Sequence, residues 1–147
     1  MNLTPTEYGT GDATYNAAGG EDGIRRLVNC FYDEMRDNPD YQRIWGWHPE
    51  DKTTDNGSKA LSRDKLASFL CGWMGGPKRY QEKYGGINIP HAHKHLSITD
   101  VERDMWLSCM SFALSQQGYP EAFQKYLIEQ LSRPAQMVTN TCAANYK

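Results

Sequence analysis

Apolar residues recur at helical spacing in four stretches of the chain, and this pattern predicts four substantial helices. In the first stretch they stand at positions i, i+3, i+4, i+7 and i+11: Ile24, Leu27, Val28, Phe31 and Met35. Such a stripe covers one face of an α-helix and is typical of a helix that packs against a core. Asn38-Pro39 predicts the end of this helix.

Two of the other three stripes repeat the spacing i, i+3, i+4 and i+7, and the last stands at i, i+4, i+5 and i+8. They are Leu66, Phe69, Leu70 and Trp73; Trp106, Cys109, Met110 and Ala113; and Phe123, Leu127, Ile128 and Leu131. Gly75-Gly76-Pro77 and Gly118 predict the ends of the first two of these helices. Thr99-Asp100-Val101-Glu102 has the form of a capping box at a helix start. Pro120 suits a first helical turn, and Pro134 is expected to kink or split the last helix.

The segments between the stripes are polar and rich in turn residues. One short helix is expected around Tyr41–Trp45, and residues 78–88 are expected to be mostly loop, with room for one turn of helix. Residues 1–18 lack periodicity and predict a flexible N-terminal arm, although Tyr8 or Tyr15 could attach it to the domain. No stretch alternates as a strand would. The sequence therefore predicts an all-α domain over residues 19–147.

Composition narrows the class of protein. The 147 residues fit one domain, and the formal charge of −2 argues against a nucleic-acid binder. No apolar run is long enough to span a membrane, and the polar start lacks a signal-peptide pattern. A cytoplasmic location is the expectation. The cysteines Cys30, Cys71, Cys109 and Cys142 have no zinc or haem-attachment spacing and predict reduced, mostly buried thiols.

Three of the four histidines, His91, His93 and His95, fall within five residues of the segment IPHAHKHLSIT. On a strand all three would share one face and could bind a metal together. On a helix, positions two apart point to nearly opposite sides. His93 then shares the apolar side with Ile89 and Leu96, while the other two histidines face solvent. His93 is therefore either a hydrogen-bonded core histidine or a single axial ligand for haem iron.

Four motifs together resemble the truncated haemoglobins, and Trp106 makes the resemblance nearest to their second group. The motifs are GGEDGIRRLVNCFYDEM, FLCGWMGGPKRYQEKYGG, AHKHLSIT and ERDMWLSCM, spread over residues 15–132. Each is weak alone, but their order is specific. The resemblance implies a globin-like, two-over-two helical sandwich around noncovalent haem b.

The resemblance implies that the proximal iron ligand is one histidine of the cluster. An ungapped comparison between Gly75-Gly76-Pro77 and Trp106 gives His93, whereas the histidine-leucine pair of KHLSI gives His95. The helical-face argument independently favours His93, so His95 is the fallback.

Tyr32 matches the family's distal tyrosine, whose phenol donates a hydrogen bond to a bound diatomic ligand. Trp106 matches the pocket tryptophan, whose indole N–H is a donor only and can bond the ligand or Tyr32. His48 stands where the family often has tyrosine or phenylalanine, so it is either a further donor or a solvated loop histidine. For Tyr32 and Trp106 the plain alternative is core packing.

The resemblance also implies a pocket lining. Ser62 and Leu66 fall where the family's distal helix faces the haem. The pocket walls are Phe31, Phe69, Leu70, Trp73, Ile98 and Met110. Lys78, Arg79 and Tyr80 are candidates for the haem propionates, or else form a solvated basic turn.

The resemblance implies reversible binding of O2, CO and NO. Several distal donors favour NO detoxification to nitrate, or chemistry on peroxide, over bulk oxygen transport. Turnover would need an external reductase. The rival interpretation is a haem-free helical interaction domain in which the histidines form an incidental divalent-metal patch.

Overall fold

The structure, a computed structural model, describes residues 8–46, 60–85 and 99–145, and every regular element in these ranges is a helix. The helices are α1 (Ala13–Ala17), α2 (Gly20–Asp37), α3 (Gln42–Trp45), α4 (Ala60–Trp73), α5 (Arg79–Tyr84), α6 (Asp100–Ser115) and α7 (Glu121–Asn145), with a 3₁₀ turn at Pro39–Tyr41. The all-α prediction is confirmed. None of the helices described is long and apolar enough to cross a membrane.

Two packed helix pairs form the body of the molecule. Helix α2 packs on α4, α6 packs on α7, and α2 also contacts α6, which joins the pairs. The predicted two-over-two sandwich is thereby confirmed. The apolar stripe of α2 supplies the centre, and its five predicted residues are all at most 1% exposed: Ile24, Leu27, Val28, Phe31 and Met35. Burial of this stripe, and not helix propensity, holds such a helix in place.

The predicted helix ends are mostly confirmed. Helix α2 ends at Asp37, and the Asn38 side chain accepts a hydrogen bond from the Asp40 amide at 2.9 Å. Helix α4 ends before Gly75, whose φ of 92° lies in the left-handed region that glycine tolerates. The capping box at the start of α6 is present, with the Thr99 amide donating to Glu102 Oε1 at 3.3 Å.

Three details of the later helices differ from the prediction. The segment expected to be mostly loop contains the six-residue helix α5. Pro120 precedes the first residue of α7 instead of lying within its first turn. Pro134 does not split α7, which continues to Asn145. A proline removes one backbone donor, and the packing of α7 on α6 compensates for that loss.

Residues 8–18 pack against the domain. Tyr8 is 8% exposed and meets Phe123 edge to face at a centroid distance of 5.2 Å. The Tyr15 amide donates to the Met74 carbonyl at 3.0 Å. A Cβ on Gly76 would overlap the Tyr15 ring, so the glycine makes room for this contact. The alternative that tyrosines attach the segment is therefore supported, and residues 1–7 lie outside the described ranges.

Glu102 is an acidic side chain in the core, 4% exposed, at the start of α6. Its Oε2 accepts a hydrogen bond from the Thr99 hydroxyl at 2.7 Å and lies 3.5 Å from Arg43 Nη1 of α3. Burial alone would raise the pKa of Glu102, but the Thr99 hydrogen bonds and the Arg43 charge hold it below its usual value. The carboxylate therefore joins α6 to α3 in its ionised form.

We expect Glu102→Gln to lower the free energy of unfolding at pH 7 by about 1–3 kcal/mol, because a charged hydrogen-bond acceptor is lost from a buried position. Because the pKa of Glu102 is lower in the folded than in the unfolded protein, its ionised form stabilises the fold at pH values above the unfolded pKa, roughly 4.3. This stability is lost as pH falls through the folded pKa. The difference from the parent protein should therefore shrink below about pH 4 in denaturant titrations. Glu82→Gln, at an exposed ion pair, is the control, and an equal effect there would contradict the prediction.

Ser68 lies in α4, is 0% exposed, and its hydroxyl has no hydrogen-bond partner among the described atoms. A buried donor without a partner is costly, so Ser68→Ala is expected to raise the free energy of unfolding by about 1 kcal/mol. That corresponds to a Tm increase of roughly 2–4 °C in a domain of this size, measured by thermal unfolding. Ser111→Ala, on the exposed side of α6, should leave Tm nearly unchanged. A lower Tm for Ser68→Ala would show that its hydroxyl is bonded.

Candidate functional site

Tyr32 is a phenol in the middle of α2, only 3% exposed. Its ring meets Phe31 edge to face at 5.3 Å and Trp45 of α3 at 6.4 Å, both between ring centroids. Burial raises the pKa of Tyr32, and the nearby charge of Arg63 acts in the opposite direction with the smaller effect. The hydroxyl therefore keeps its proton at neutral pH and can act as a hydrogen-bond donor.

Trp106 reaches the same region from α6. Its ring packs edge to face on Phe31 with 5.1 Å between centroids, so Phe31 contacts both Trp106 and Tyr32. One turn further along α6, the Cys109 thiol donates to the Phe31 carbonyl at 3.3 Å and ties α6 to α2. Burial raises the pKa of Cys109 to about 12, so this thiol stays protonated and serves packing. The structure thus brings the two predicted distal donors into contact with one buried ring, that of Phe31.

Helix α4 presents two neighbouring faces with different exposure. Ala67, Leu70 and Cys71 are fully buried in the core. Next to them, a second row at helical spacing is only half-buried although it packs on that core: Ser62, Leu66, Phe69 and Trp73. Of the predicted pocket walls, Leu66, Phe69 and Trp73 belong to this half-buried row. Leu70 lies inside the core, and so does Met110 of α6.

The basic turn after α4 is engaged in ion pairs. Arg79 Nε lies 3.2 Å from Glu21 and its Nη1 lies 3.2 Å from Glu82. The Tyr80 ring packs on Tyr84 at a centroid distance of 5.1 Å, and Lys78 is exposed. Tyr80 and Lys78 accordingly have access to solvent, whereas two carboxylates hold the Arg79 guanidinium. A role of this turn in binding propionates stays a prediction.

Four of the predicted site residues lie outside the described ranges: His48, His93, His95 and Ile98. The loop of residues 52–60 lies outside them as well, apart from Ala60 at the start of α4. The choice between His93 and His95 therefore stays a prediction.

The described residues fit a flat apolar cofactor. Large apolar side chains that pack on the core are left half-buried on three helices, and one of them, Trp45, packs beside the buried ring of Tyr32. These half-buried side chains are Trp45, Leu66, Phe69, Trp73 and Trp106. Aromatic and aliphatic walls with a few polar groups are typical of cofactor sites, and a planar macrocycle would cover the surface that these residues leave open.

A family model described as Bacterial-like globin matches residues 13–140, which is most of the chain. This chain belongs to the bacterial-like globins. Membership implies a haem cofactor and haem-based binding of diatomic gases such as O2, in agreement with the apolar surface around Tyr32. The matched range begins at the first residue of α1, so it includes residues 13–18 of the packed N-terminal segment.

The relatives of this globin are group II truncated haemoglobins, as the sequence motifs predicted. The group 2 truncated hemoglobin YjbI of Bacillus subtilis (strain 168) is 29% identical over 133 residues, which cover 90% of this chain and 92% of that protein. The group II 2-on-2 hemoglobin of Agrobacterium tumefaciens is 29% identical with a TM-score of 0.75, covering 86% of this chain and 93% of that one.

A third relative has a solved structure described as a truncated oxygen-avid haemoglobin from Bacillus subtilis. It is 30% identical with a TM-score of 0.72, and the match covers 87% of this globin and 99% of that chain. These relatives confirm the predicted family and fold.

Two residues at the site of this globin were not among the predicted ones. Trp45 packs beside Tyr32, and Arg63 of α4 places its guanidinium carbon 5.6 Å from the centre of the Tyr32 ring. The only available signal for Arg63 was its spacing: it stands four residues before Ala67 and seven before Leu70, on the face of α4 that packs on α2. A charged residue on a core-facing stripe is unusual, and this position is what distinguishes Arg63 in the sequence.

Proposed function

We propose that this globin binds haem b noncovalently through the imidazole of His93, and that it reversibly binds dioxygen and other diatomic ligands. The observation that carries the proposal is the protonated, buried phenol of Tyr32 beside the half-buried ring of Trp45, with Phe31 in contact with both Tyr32 and Trp106. A donor in an apolar cleft is what a polar diatomic ligand needs.

The half-buried row on α4, together with Trp45 and Trp106, would hold the macrocycle by apolar contact, and His93 would supply the axial nitrogen. The cofactor would supply an iron that binds O2, CO or NO. Near that iron the protein would supply hydrogen bonds and exclude water. The ring contacts of Tyr32 with Phe31 and Trp45 restrict its rotation, so its hydroxyl is oriented before a ligand arrives.

Two donors from different helices favour retention of the ligand. Tyr32 reaches the pocket from α2 and Trp106 from α6, and the indole N–H can only donate. His48 is proposed as a third donor, outside the described residues. Slow release of bound dioxygen suits a reaction of that dioxygen better than oxygen delivery. The Bacillus subtilis relative is itself described as oxygen-avid.

We propose oxidation of nitric oxide to nitrate as the reaction, with the balance NO + O2 + e⁻ → NO3⁻. The electron would come from an external reductase. Reduction of peroxide, H2O2 + 2e⁻ + 2H⁺ → 2H2O, with electrons from the same reductase, is the second candidate, because the Tyr32 hydroxyl keeps its proton and would donate a hydrogen bond to bound peroxide. Mixing the oxygen-loaded protein with NO and measuring nitrate tests the first reaction. A cytoplasmic location stays a prediction.

Absorption spectra of purified protein in the ferric, ferrous and CO-bound states test haem binding. We expect a Soret band with about one haem per chain and a reversible ferrous oxygen complex. A colourless protein that does not take up added hemin would instead support the haem-free interaction domain. The rival's histidine patch lies outside the described residues, so the spectrum decides between the two interpretations.

A further inference from the structure

The guanidinium of Arg63 lies between α4 and α2, directly beside Tyr32. Its side chain is 14% exposed, and its guanidinium carbon lies 5.6 Å from the centroid of the Tyr32 ring. A cation within about 6 Å of an aromatic ring is attracted by the electrons of the ring face, and more strongly when water is excluded. Arg63 is therefore in a position to act on the phenol.

Two further residues of α2 hold the same guanidinium. Its Nη2 lies 2.7 Å from Asp33 Oδ1, and its Nη1 donates to both the backbone carbonyl and the side-chain oxygen of Asn29 at 3.3 Å. Asn29, Tyr32 and Asp33 stand at i, i+3 and i+4, so one arginine spans a single turn of α2 around Tyr32. The planar, five-donor guanidinium can make these contacts together, which a lysine cannot.

The ion pair alone does not explain this arrangement. The Asp33 side chain is 49% exposed, and an exposed carboxylate contributes little to stability through an ion pair. The arginine, by contrast, is mostly withdrawn from water at the helix interface. Withdrawing a cation from water has a desolvation cost, and the contacts of the guanidinium with the Asn29 oxygens and with the face of the Tyr32 ring help to offset that cost.

We propose that Arg63 is a positioning residue for the distal tyrosine. From α4 it fixes the ring of Tyr32 on α2, and its positive charge makes the phenol O–H a stronger donor toward a bound ligand. This inference rests on the proposed role of Tyr32 in retaining ligands. Burial raises the pKa of Tyr32 and the Arg63 charge opposes that rise, which agrees with the proposed direction.

The test uses the haem-loaded protein and the pair Arg63→Met and Tyr32→Phe, singly and together. Methionine keeps an apolar stem of similar length but removes the charge and the donors. We expect Arg63→Met to raise the dioxygen dissociation rate by about 3- to 10-fold and to shift the CO stretching frequency of the ferrous CO complex. In the Tyr32→Phe background the same substitution should change neither quantity, because the hydroxyl is already absent.

Arg36→Met is the matched control. Arg36 lies on α2, and its Nη1 approaches the same Asp33 at 3.7 Å, but its side chain is 42% exposed and its main partner is Asp37. Its loss should change neither the dissociation rate nor the CO frequency. An effect equal to that of Arg63→Met would overturn the inference.

The outcomes separate the two claims. If Tyr32→Phe leaves the dissociation rate unchanged, the proposed retention by Tyr32 fails and the inference fails with it. If Tyr32→Phe raises the rate but Arg63→Met does not, or if Arg63→Met acts equally in both backgrounds, only the inference fails. Should Arg63→Met not yield folded protein, Arg63→Lys replaces it. Lysine keeps the positive charge but lacks the planar, five-donor guanidinium. We expect it to raise the dioxygen dissociation rate at least about 2-fold when Tyr32 is present, and to leave the rate unchanged in the Tyr32→Phe background.

Discussion

Replacing Tyr32 by phenylalanine is expected to raise the dioxygen dissociation rate of the haem-loaded protein by about 10- to 150-fold. A charge-assisted hydrogen bond contributes roughly 1.5–3 kcal/mol, and this range of rates follows if the bond acts only on the bound ligand. Phenylalanine preserves the ring contacts with Phe31 and Trp45 and removes only the hydroxyl. Stopped-flow displacement of dioxygen by CO measures the rate.

Tyr41→Phe is the matched control for this substitution. Tyr41 also has a hydroxyl within hydrogen-bond distance of a side chain, 3.0 Å from Ser108 Oγ, but that pair is exposed. Its removal should leave the dissociation rate within about 2-fold of the parent protein. Equal rates for Tyr32→Phe and Tyr41→Phe would contradict a distal role for Tyr32. The association rate should change little, since the hydrogen bond forms after the ligand has entered.

Replacing His93 by alanine is expected to accelerate the loss of hemin by at least about 10-fold, or about 1.4 kcal/mol of binding free energy. The reason is that His93 would supply the only protein bond to the iron, and the apolar contacts of α4 and α6 alone would hold the macrocycle. Transfer of hemin to an excess of an apoglobin, followed in the Soret region, measures the rate. Added imidazole should slow the loss again, because it replaces the missing nitrogen.

His95→Ala is the natural comparison, since it removes an imidazole two residues away. On a helix that residue faces the opposite side from His93, so its loss should leave hemin retention nearly unchanged. Rapid loss of hemin from His95→Ala, with normal retention in His93→Ala, would establish His95 as the iron ligand. It would also show that the segment does not present the helical face assigned to it.

Periodicity was sufficient for the helices because apolar residues recur at helical spacing in each long helix. The stripe of α2 could be identified residue by residue, and all five predicted core positions are buried. The breakers Asn38-Pro39 and Gly75-Gly76-Pro77 also act locally, so the helix ends next to them were predictable. Pro134 was not, because whether a proline interrupts a helix depends on packing from outside the segment.

The sequence determined the family through the order of its motifs and the all-α class through its helical periodicity. The motifs also singled out Tyr32 and Trp106 as candidate distal residues. Tertiary structure decided the packing of residues 8–18 on the domain. Tyr8 packs against Phe123, which lies more than a hundred residues away in the sequence. It also decided the position of Arg63 over Tyr32, a contact between side chains of two helices. Helical periodicity reports which face a residue occupies, but which side chain of a partner helix it meets depends on how the two helices pack together.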